Sequence, residues 1–427
     1  MRKSRAAAAI VAVLATAVAA SPAAAQTTPG GPWSQPNQNE SLSSIRDYDE
    51  LVKTMRRYVE RSDGAARFSW GKYEAKRSGR PIPIVSVGSG DRKMVIIANQ
   101  HGNEFTVSNS ALEIIRALTS NASGAKAIRD ELTLTIIPRV NVDGFDATPT
   151  GSPWRWNVDP FSCEPCPAFY EEDHGYDINR YHSYLTGDPL DDPNTDQGDN
   201  PVPEANTVRA AYDAAGGGDE VEVVLDLHHQ GTYRDPDGSM VTAATTWPNA
   251  FATADALGIR PAFDKDVETS KKVVSTLLTA TDGKGYANFS RYPGTLPPGI
   301  SRNAYGLLGS ASVLIEMRGD IGQKSNGYIA KTAYVASASV VDALADGSLY
   351  ETSTARAEAL KEPARASATS RRYACRRSSA RSRASASAHG TSGTTPDRSQ
   401  LAPVTASTTW PRGRFARTCG ASTIGVT

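Results

Sequence analysis

Apolar residues in this chain recur with two different periods. Between Asp47 and Arg61 they stand at 51, 55 and 58, with acids at the start of the segment and bases at its end. That spacing predicts an amphipathic helix. The same helical period runs from Val107 to Leu118, at positions 107, 111, 114, 115 and 118. Thr207 to Ala215 reads as a short helix and Tyr328 to Leu344 as a closing one. Ile82 to Val87 alternates as a strand does, and Gly88 to Arg92 turns the chain into the next. Four brief runs, Met94–Ala98, Leu132–Ile137, Val221–Leu227 and Ser312–Ile315, are rich in Ile, Val and Leu and end at polar residues or proline. They read as buried strands. Strands alternating with helices predict an α/β fold, a layered sandwich with a mostly parallel sheet flanked by helices. Residues 141–182 form a long irregular stretch with clustered aromatics, a length that in a compact domain usually serves function. Residues 184–205 read as an Asp/Pro/Asn-rich loop, and no internal repeat is present.

The two ends differ from this body. Arg2, Lys3 and Arg5 precede an apolar stretch from Ala6 to Ala20, and Ala23-Ala24-Ala25 follows. This is the order of a secretory signal cleaved near Ala25, because the apolar part is shorter than the ~20 residues that span a bilayer. Residues 26–44 are Pro/Gly/Gln/Asn-rich and predicted flexible. The tail, 349–427, turns Arg/Ser/Ala/Thr-rich, most sharply from Pro363, and is predicted disordered. A frameshifted gene end and a basic arm for an anionic wall or nucleic acid are two other readings of it. The 427-residue chain has zero formal charge, yet residues 26–362 hold 32 basic and 45 acidic residues, a net of about −13. An acidic body argues against a nucleic-acid-binding core. Cys163 and Cys166 lie in a Pro-rich loop far from Cys375 and Cys419, and in an exported chain predict a small disulfide-closed loop.

Chemistry gathers at strand ends. His101 and Glu104 follow Met94–Ala98 with Gly102 between them, so imidazole and carboxylate can turn to one point, as a divalent metal requires. Alone, His-x-x-Glu also occurs in ordinary surface loops. His228 ends the strand Val221–Leu227 and supplies a third candidate ligand. Two histidines and a glutamate with an open position make a catalytic zinc arrangement. Glu316 emerges from the fourth apolar run, where burial would raise its pKa toward a value useful for proton transfer. An ion pair with Arg318 is the plainer reading of that carboxylate. Arg180, in Asp177-Ile-Asn179-Arg180, offers a planar guanidinium suited to a carboxylate. Arg155 lies between two tryptophans, a setting that also suits a cation–π contact.

His101-Gly-Asn-Glu104, Trp154-Arg155, Asp177-Ile-Asn179-Arg180, His228 and Ile315-Glu316, in this order, resemble the zinc metallocarboxypeptidases of the carboxypeptidase A-like family. The resemblance covers roughly residues 45–348, which it marks as a catalytic domain. It implies a three-layer sandwich around a mixed sheet of about eight strands. It also implies one zinc ion per chain, held by His101, Glu104 and His228, with Asp177 orienting His101. Glu316 would activate the zinc water and protonate the leaving amine, and Arg155 would stabilise the oxyanion. Asn179 and Arg180 would hold the terminal carboxylate of a peptide or peptide-like substrate. Tyr292 fits the distance of the family's mobile tyrosine, and Tyr305 sits in a more motif-like setting. The implied protein is a secreted, soluble, monomeric peptidase. Two related chemistries stand beside it, cleavage of a γ-glutamyl-diamino acid bond in cell-wall peptides and N-acyl-amino-acid deacylation. A wall- or peptide-binding module without catalysis is disfavoured, since all ligands and Glu316 are present. The pattern departs at Asn103, where the best-known members carry a basic residue, and the 293–310 loop does not align. The long pro-domain of the digestive enzymes has no counterpart in 26–45.

Overall fold

The computed structural model describes residues 47–146, 153–157, 176–187, 200–231, 233–235, 238, 241–281, 288–294, 296–318 and 326–363. All belong to the first of two units into which the chain divides, Met1–Thr369. The expected signal, the 26–44 segment, the Cys163–Cys166 loop and the tail from 364 lie outside the described residues.

Eight strands build one sheet: β1 (Ala66–Glu74), β2 (Pro81–Val87), β3 (Arg92–Ala98), β4 (Leu132–Ile137), β5 (Val221–Gln230), β6 (Ala243–Thr246), β7 (Phe289–Arg291) and β8 (Ala311–Arg318). Their order is β1-β2-β4-β3-β5-β8-β6-β7. The central strands β4, β3, β5 and β8 run parallel to one another, whereas β1, β2 and β6 introduce antiparallel pairs. The sheet is therefore mixed, as expected. The helices are α1 (Tyr48–Glu60), α2 (Thr106–Leu118), α3 (Ser123–Glu131), α4 (Val142–Asp146), α5 (Pro203–Ala214) and α6 (Gly217–Glu220). They continue with α7 (Phe251–Ala256), α8 (Arg260–Thr281), α9 (Ser301–Leu307), α10 (Asn326–Ala345) and α11 (Ala355–Glu358). No helix among the described residues is long and apolar enough to cross a membrane.

Period-two alternation divides each central strand between two cores. Met94, Ile96 and Ala98 of β3 join Val223, Leu225 and Leu227 of β5 and Val313 and Ile315 of β8 on one face, beneath α2, α8 and α10. Val95, Ile97 and Val224 face the other way, toward α5 and the tyrosines Tyr176, Tyr181, Tyr212 and Tyr305. The result is an α/β sandwich with a core on each side of the sheet. Both faces of β3 and β5 are buried, which is why these strands read as apolar runs, interrupted in β5 by Glu222 and Asp226.

Ordered structure continues past 348, where the resemblance ends, to the neighbourhood of Pro363, where composition turns most sharply. A 3-10 turn at Ser348–Glu351 and α11 continue the chain to residue 363, with Leu349 and Ala357 fully buried in the larger core. Lys271 Nζ on α8 pairs with Glu358 on α11 at 3.0 Å.

Candidate metal centre and active site

Because β3, β5 and β8 are parallel, their carboxyl ends open on one side of the sheet, where α/β proteins collect ligands. Asn99 ends β3 in the left-handed region, at φ 57°, a conformation asparagine tolerates better than most residues. Its Nδ2 donates to the carbonyl of His101 at 2.6 Å and fixes the loop that follows. Gly102 stands where this loop meets the Arg155 segment. Its N–H donates to the Arg155 carbonyl at 3.2 Å, and that carbonyl also accepts from Asn141 Nδ2 at 3.0 Å.

The loop brings His101 and Glu104 to His228 on β5, all three buried, with one donor atom from each within 4.8 Å of the others. His101 Nδ1 lies 2.9 Å from Glu104 Oε1 and 3.1 Å from His228 Nδ1, and His228 Nδ1 lies 2.8 Å from Glu104 Oε2. Both imidazoles turn Nε2 away from this point onto a carboxylate: His101 to Asp177 Oδ1 at 2.8 Å, His228 to Asp226 Oδ1 at 2.8 Å. Nε2–H is thereby the donor, and each Nδ1 lone pair faces the centre. Burial disfavours charge on His228, yet the carboxylates of Asp226 and Glu104 hold its pKa well above the ordinary range. Burial likewise opposes charge on Glu104, but His101 and His228 keep it well below the usual carboxylate range. The centre thus favours a cation, and two imidazole nitrogens with one carboxylate fit zinc with a position left open.

His229, the second histidine of the pair, points to the opposite face. Its ring meets the Thr106 hydroxyl and stacks edge-on to Phe105, and burial pushes its pKa down to about 4. Its backbone N–H donates to Glu104 Oε2 at 3.0 Å.

Arg155 reaches between ligand and backing carboxylate, with Nη1 3.3 Å from Glu104 Oε1 and Nη2 2.9 Å from Asp177 Oδ2. Arg180 lies 3.7 Å from the same Asp177 oxygen. Asp177 caps the turn carrying Asn179 and Arg180 by accepting from the Asn179 N–H at 3.1 Å. Asn179 itself differs from expectation. Its Nδ2 lies 3.0 Å from His228 Nε2 and 3.4 Å from Asp226 Oδ2, and its Oδ1 accepts from the Ser301 N–H at 2.8 Å. The carboxamide is engaged within the chain, because the buried turn places it between β5 and the start of α9.

Glu316 pairs in register with His228 across the β5–β8 ladder. It is buried with Oε2 unpartnered among the described residues, and burial pushes its pKa up to about 8, with His228 opposing and the nearby Glu104 and Asp226 reinforcing the rise. Its expected rival contact, a salt bridge to Arg318, is absent among the described residues. Tyr292 stands in the field of Glu316, which together with burial raises its pKa, and Tyr233 is raised by burial and by the same carboxylate. Tyr305 belongs elsewhere. It is fully buried on α9, its ring 4.7 Å from that of Tyr212 and its hydroxyl 3.1 Å from His182 Nδ1. The structure brings together every expected site residue except Tyr305.

Sequence reasoning passed over Asp226, Gln100, Ser301 and Tyr233. Asp226 was visible as a charge inside an apolar run, two residues before a candidate ligand. Gln100, Ser301 and Tyr233 had no comparable signal.

The family model for zinc carboxypeptidases matches residues 76–334, more than half of the chain. Bovine thrombin-activatable fibrinolysis inhibitor, solved with tick carboxypeptidase inhibitor, is similar with 17% identity and a TM-score of 0.48, over 72% of this chain and 98% of that one. Carboxypeptidase A from Helicoverpa armigera is similar with 13% identity and a TM-score of 0.49, over 71% of this chain and 74% of that one. A metallo-carboxypeptidase from Burkholderia cenocepacia gives 15% identity and a TM-score of 0.47, over 71% and 70% of the two chains. No curated protein matches the chain in sequence.

Proposed function

Because this chain belongs to the zinc carboxypeptidase family, and so is a metallocarboxypeptidase, we propose that it is an exported enzyme that removes single residues from the free carboxyl ends of peptides. It works with one zinc ion per chain. The observation that carries this reading is the convergence of His101 Nδ1, Glu104 and His228 Nδ1 on one point, beside Glu316 and two guanidiniums.

Zinc at that point supplies a Lewis acid that acidifies water and polarises a carbonyl. Glu316 takes the proton of the attacking water and passes it to the departing amine. Its raised pKa suits both halves of that task, since the carboxylate binds the proton firmly enough to accept it and weakly enough to return it. Arg155, held by Asp177 and Glu104, offers guanidinium N–H groups to the oxygen that turns negative as the carbonyl is attacked. Arg180 grips the terminal carboxylate with its planar fork. Asn179 contributes indirectly, by tying the turn that carries Arg180 to the start of α9. Tyr292, kept neutral by the charge of Glu316 and by burial, serves as a hydrogen-bond donor at the mouth of the site.

Incubation with a panel of peptides, muropeptides and N-acyl amino acids, read by mass spectrometry, tests the reading. Stepwise loss of C-terminal residues, abolished when the terminus is amidated, is the expected result. Failure to shorten any peptide would overturn it, and cleavage confined to muropeptides or N-acyl amino acids would replace it with one of the related chemistries. Export is tested separately by N-terminal sequencing of protein from the medium, expected to begin near Gln26.

A further inference from the structure

The two histidine ligands rest on carboxylates of different character. Asp177 spends one oxygen on His101 and the other on the guanidiniums of Arg155 and Arg180. Asp226 makes no ion pair with Arg155 or Arg180 among the described residues. Besides His228, it accepts from Gln100 Nε2 at 2.7 Å, from the Ser301 hydroxyl and from Asn179 Nδ2 at 3.4 Å, all neutral and buried donors. Arg302 lies within electrostatic reach, with its own Nη2 donating to Asn249 Oδ1 at 2.9 Å.

Behind Asp226 a chain of hydrogen bonds runs into the core. Burial pushes the pKa of His182 down to about 4, so its ring is neutral near pH 7. Its Nε2 lies 2.6 Å from Gln100 Oε1 and its Nδ1 3.1 Å from the Tyr305 hydroxyl. A carbonyl oxygen can only accept, so Nε2 carries the proton and Nδ1 accepts from Tyr305. That tautomer fixes the Gln100 carboxamide with Nε2 toward Asp226. Each link is determined by the next, from Tyr305 to His228.

We propose that Asp226 is a positioning residue dedicated to the metal, setting the orientation and donor strength of His228, whereas Asp177 couples His101 to the arginines that meet the substrate. The proposal rests on the zinc carboxypeptidase reading above. A buried carboxylate on Nε2 makes the imidazole a stronger donor at Nδ1 and prevents the ring from turning, and loss of such a partner costs about ten- to a hundredfold in metal affinity. Asp226→Asn keeps an acceptor for Nε2–H and removes the charge, so it separates donor strength from packing.

The experiment compares full-length wild type, Asp226→Asn and Asp177→Asn. Zinc affinity is measured by competition with a chelator, the visible spectrum is recorded with cobalt, and kcat and KM are measured at saturating zinc with a C-terminally free peptide. Asp226→Asn is expected to weaken zinc ten- to a hundredfold and shift the cobalt bands, with KM within about twofold of wild type. Asp177→Asn is expected to weaken zinc and also raise KM about tenfold, because Arg155 and Arg180 lose their shared partner. Wild-type zinc affinity in Asp226→Asn, or a rise in KM matching that of Asp177→Asn, would overturn the division of roles. Should Asp226→Asn fail to fold, Ser301→Ala removes one donor and leaves the charge. It should weaken zinc severalfold at constant KM, and unchanged affinity there would also overturn the proposal. A wild-type protein that takes up no zinc would instead overturn the metallopeptidase reading on which the proposal stands.

Discussion

Gly102→Ala should cripple the site although the methyl group touches neither ligand nor substrate. A Cβ at 102 would lie 2.2 Å from the Gly144 carbonyl carbon, 2.3 Å from the Trp154 carbonyl oxygen and 2.5 Å from the Phe145 nitrogen. All three are backbone atoms, so no side chain can swing aside. Ordinary contact begins at 3.4 Å, so the metal loop and the Trp154–Arg155 segment must part by about 1 Å. Overpacking of this kind costs about 1–3 kcal/mol in stability. The larger effect is on chemistry. The parting breaks the Gly102 N–H bond to the Arg155 carbonyl and displaces the guanidinium from Glu104 and Asp177, and a 1 Å misplacement costs about a hundredfold in rate. The assay is kcat/KM on a peptide with a free carboxyl end, alongside zinc content and a thermal melt. A variant that folds, holds zinc and keeps kcat/KM within about threefold of wild type would refute the claim that this close approach positions Arg155.

Glu316→Gln should retain zinc while kcat falls about 10²–10⁴-fold, the contribution of a positioned acid–base group; zinc content and single-turnover hydrolysis check it, and unchanged turnover would remove Glu316 from proton transfer. Arg180→Lys should raise KM about tenfold or more by replacing a planar fork with a point charge; steady-state kinetics on a peptide with a free carboxyl end check it, and an unchanged KM would remove Arg180 from carboxylate binding. Glu204 on α5 gives a pH test away from the metal. It is fully buried and accepts from the Lys76 N–H at 2.9 Å and from Asn157 Nδ2 at 2.8 Å, yet burial pushes its pKa from 4.5 up to about 7. The folded chain therefore holds this proton more tightly than the unfolded one. That stabilisation is complete below about pH 4.5 and is lost as pH rises through 7, a change of about 3 kcal/mol at 1.36 kcal/mol per unit. Urea denaturation at pH 5 and 8 should show this loss in wild type and a smaller one in Glu204→Gln; equal losses would rule out Glu204 as its source.

What could be read from the sequence follows burial. The runs at 94–98, 132–137, 221–227 and 312–315 are strands buried on both faces, so Ile, Val and Leu dominate them and the apolar signal survives Thr133, Thr135, Glu222, Asp226 and Ser312. β1 alternates between half-buried and exposed positions, and β6 is a run of Ala and Thr, so neither carries an aliphatic run. α8 was legible and passed over, since its buried residues Phe263, Val267, Ser270, Val274, Leu277 and Thr281 keep strict helical spacing behind a charged first half. In the site, His101, Glu104, His228 and Glu316 could be found because each follows closely on an apolar run. The roles of Asn99, Gly102 and Gln100 depend on neighbours more than forty residues away or on backbone angles, which no local pattern encodes. Tyr305 shows the converse, since its motif-like surroundings belong to a helix packed into the core, and of the two candidate tyrosines it is Tyr292 that shares the field of Glu316.

The alternation of β5 reaches beyond ligand placement. Val223, Val224, Leu225 and Leu227 are apolar on both faces, so hydrophobicity alone would tolerate a slip of one residue against β3 or β8. Such a slip turns every side chain to the opposite face. Asp226 and His228 would then enter the aliphatic core beneath α2 and α10 without partners, at a cost of several kcal/mol. The residues assigned to metal binding thus also choose among competing strand alignments. Variants that neutralise both positions, such as Asp226→Leu with His228→Leu, would remove the penalty for misalignment along with the activity, leaving a chain that forms a sheet readily but no longer a single one.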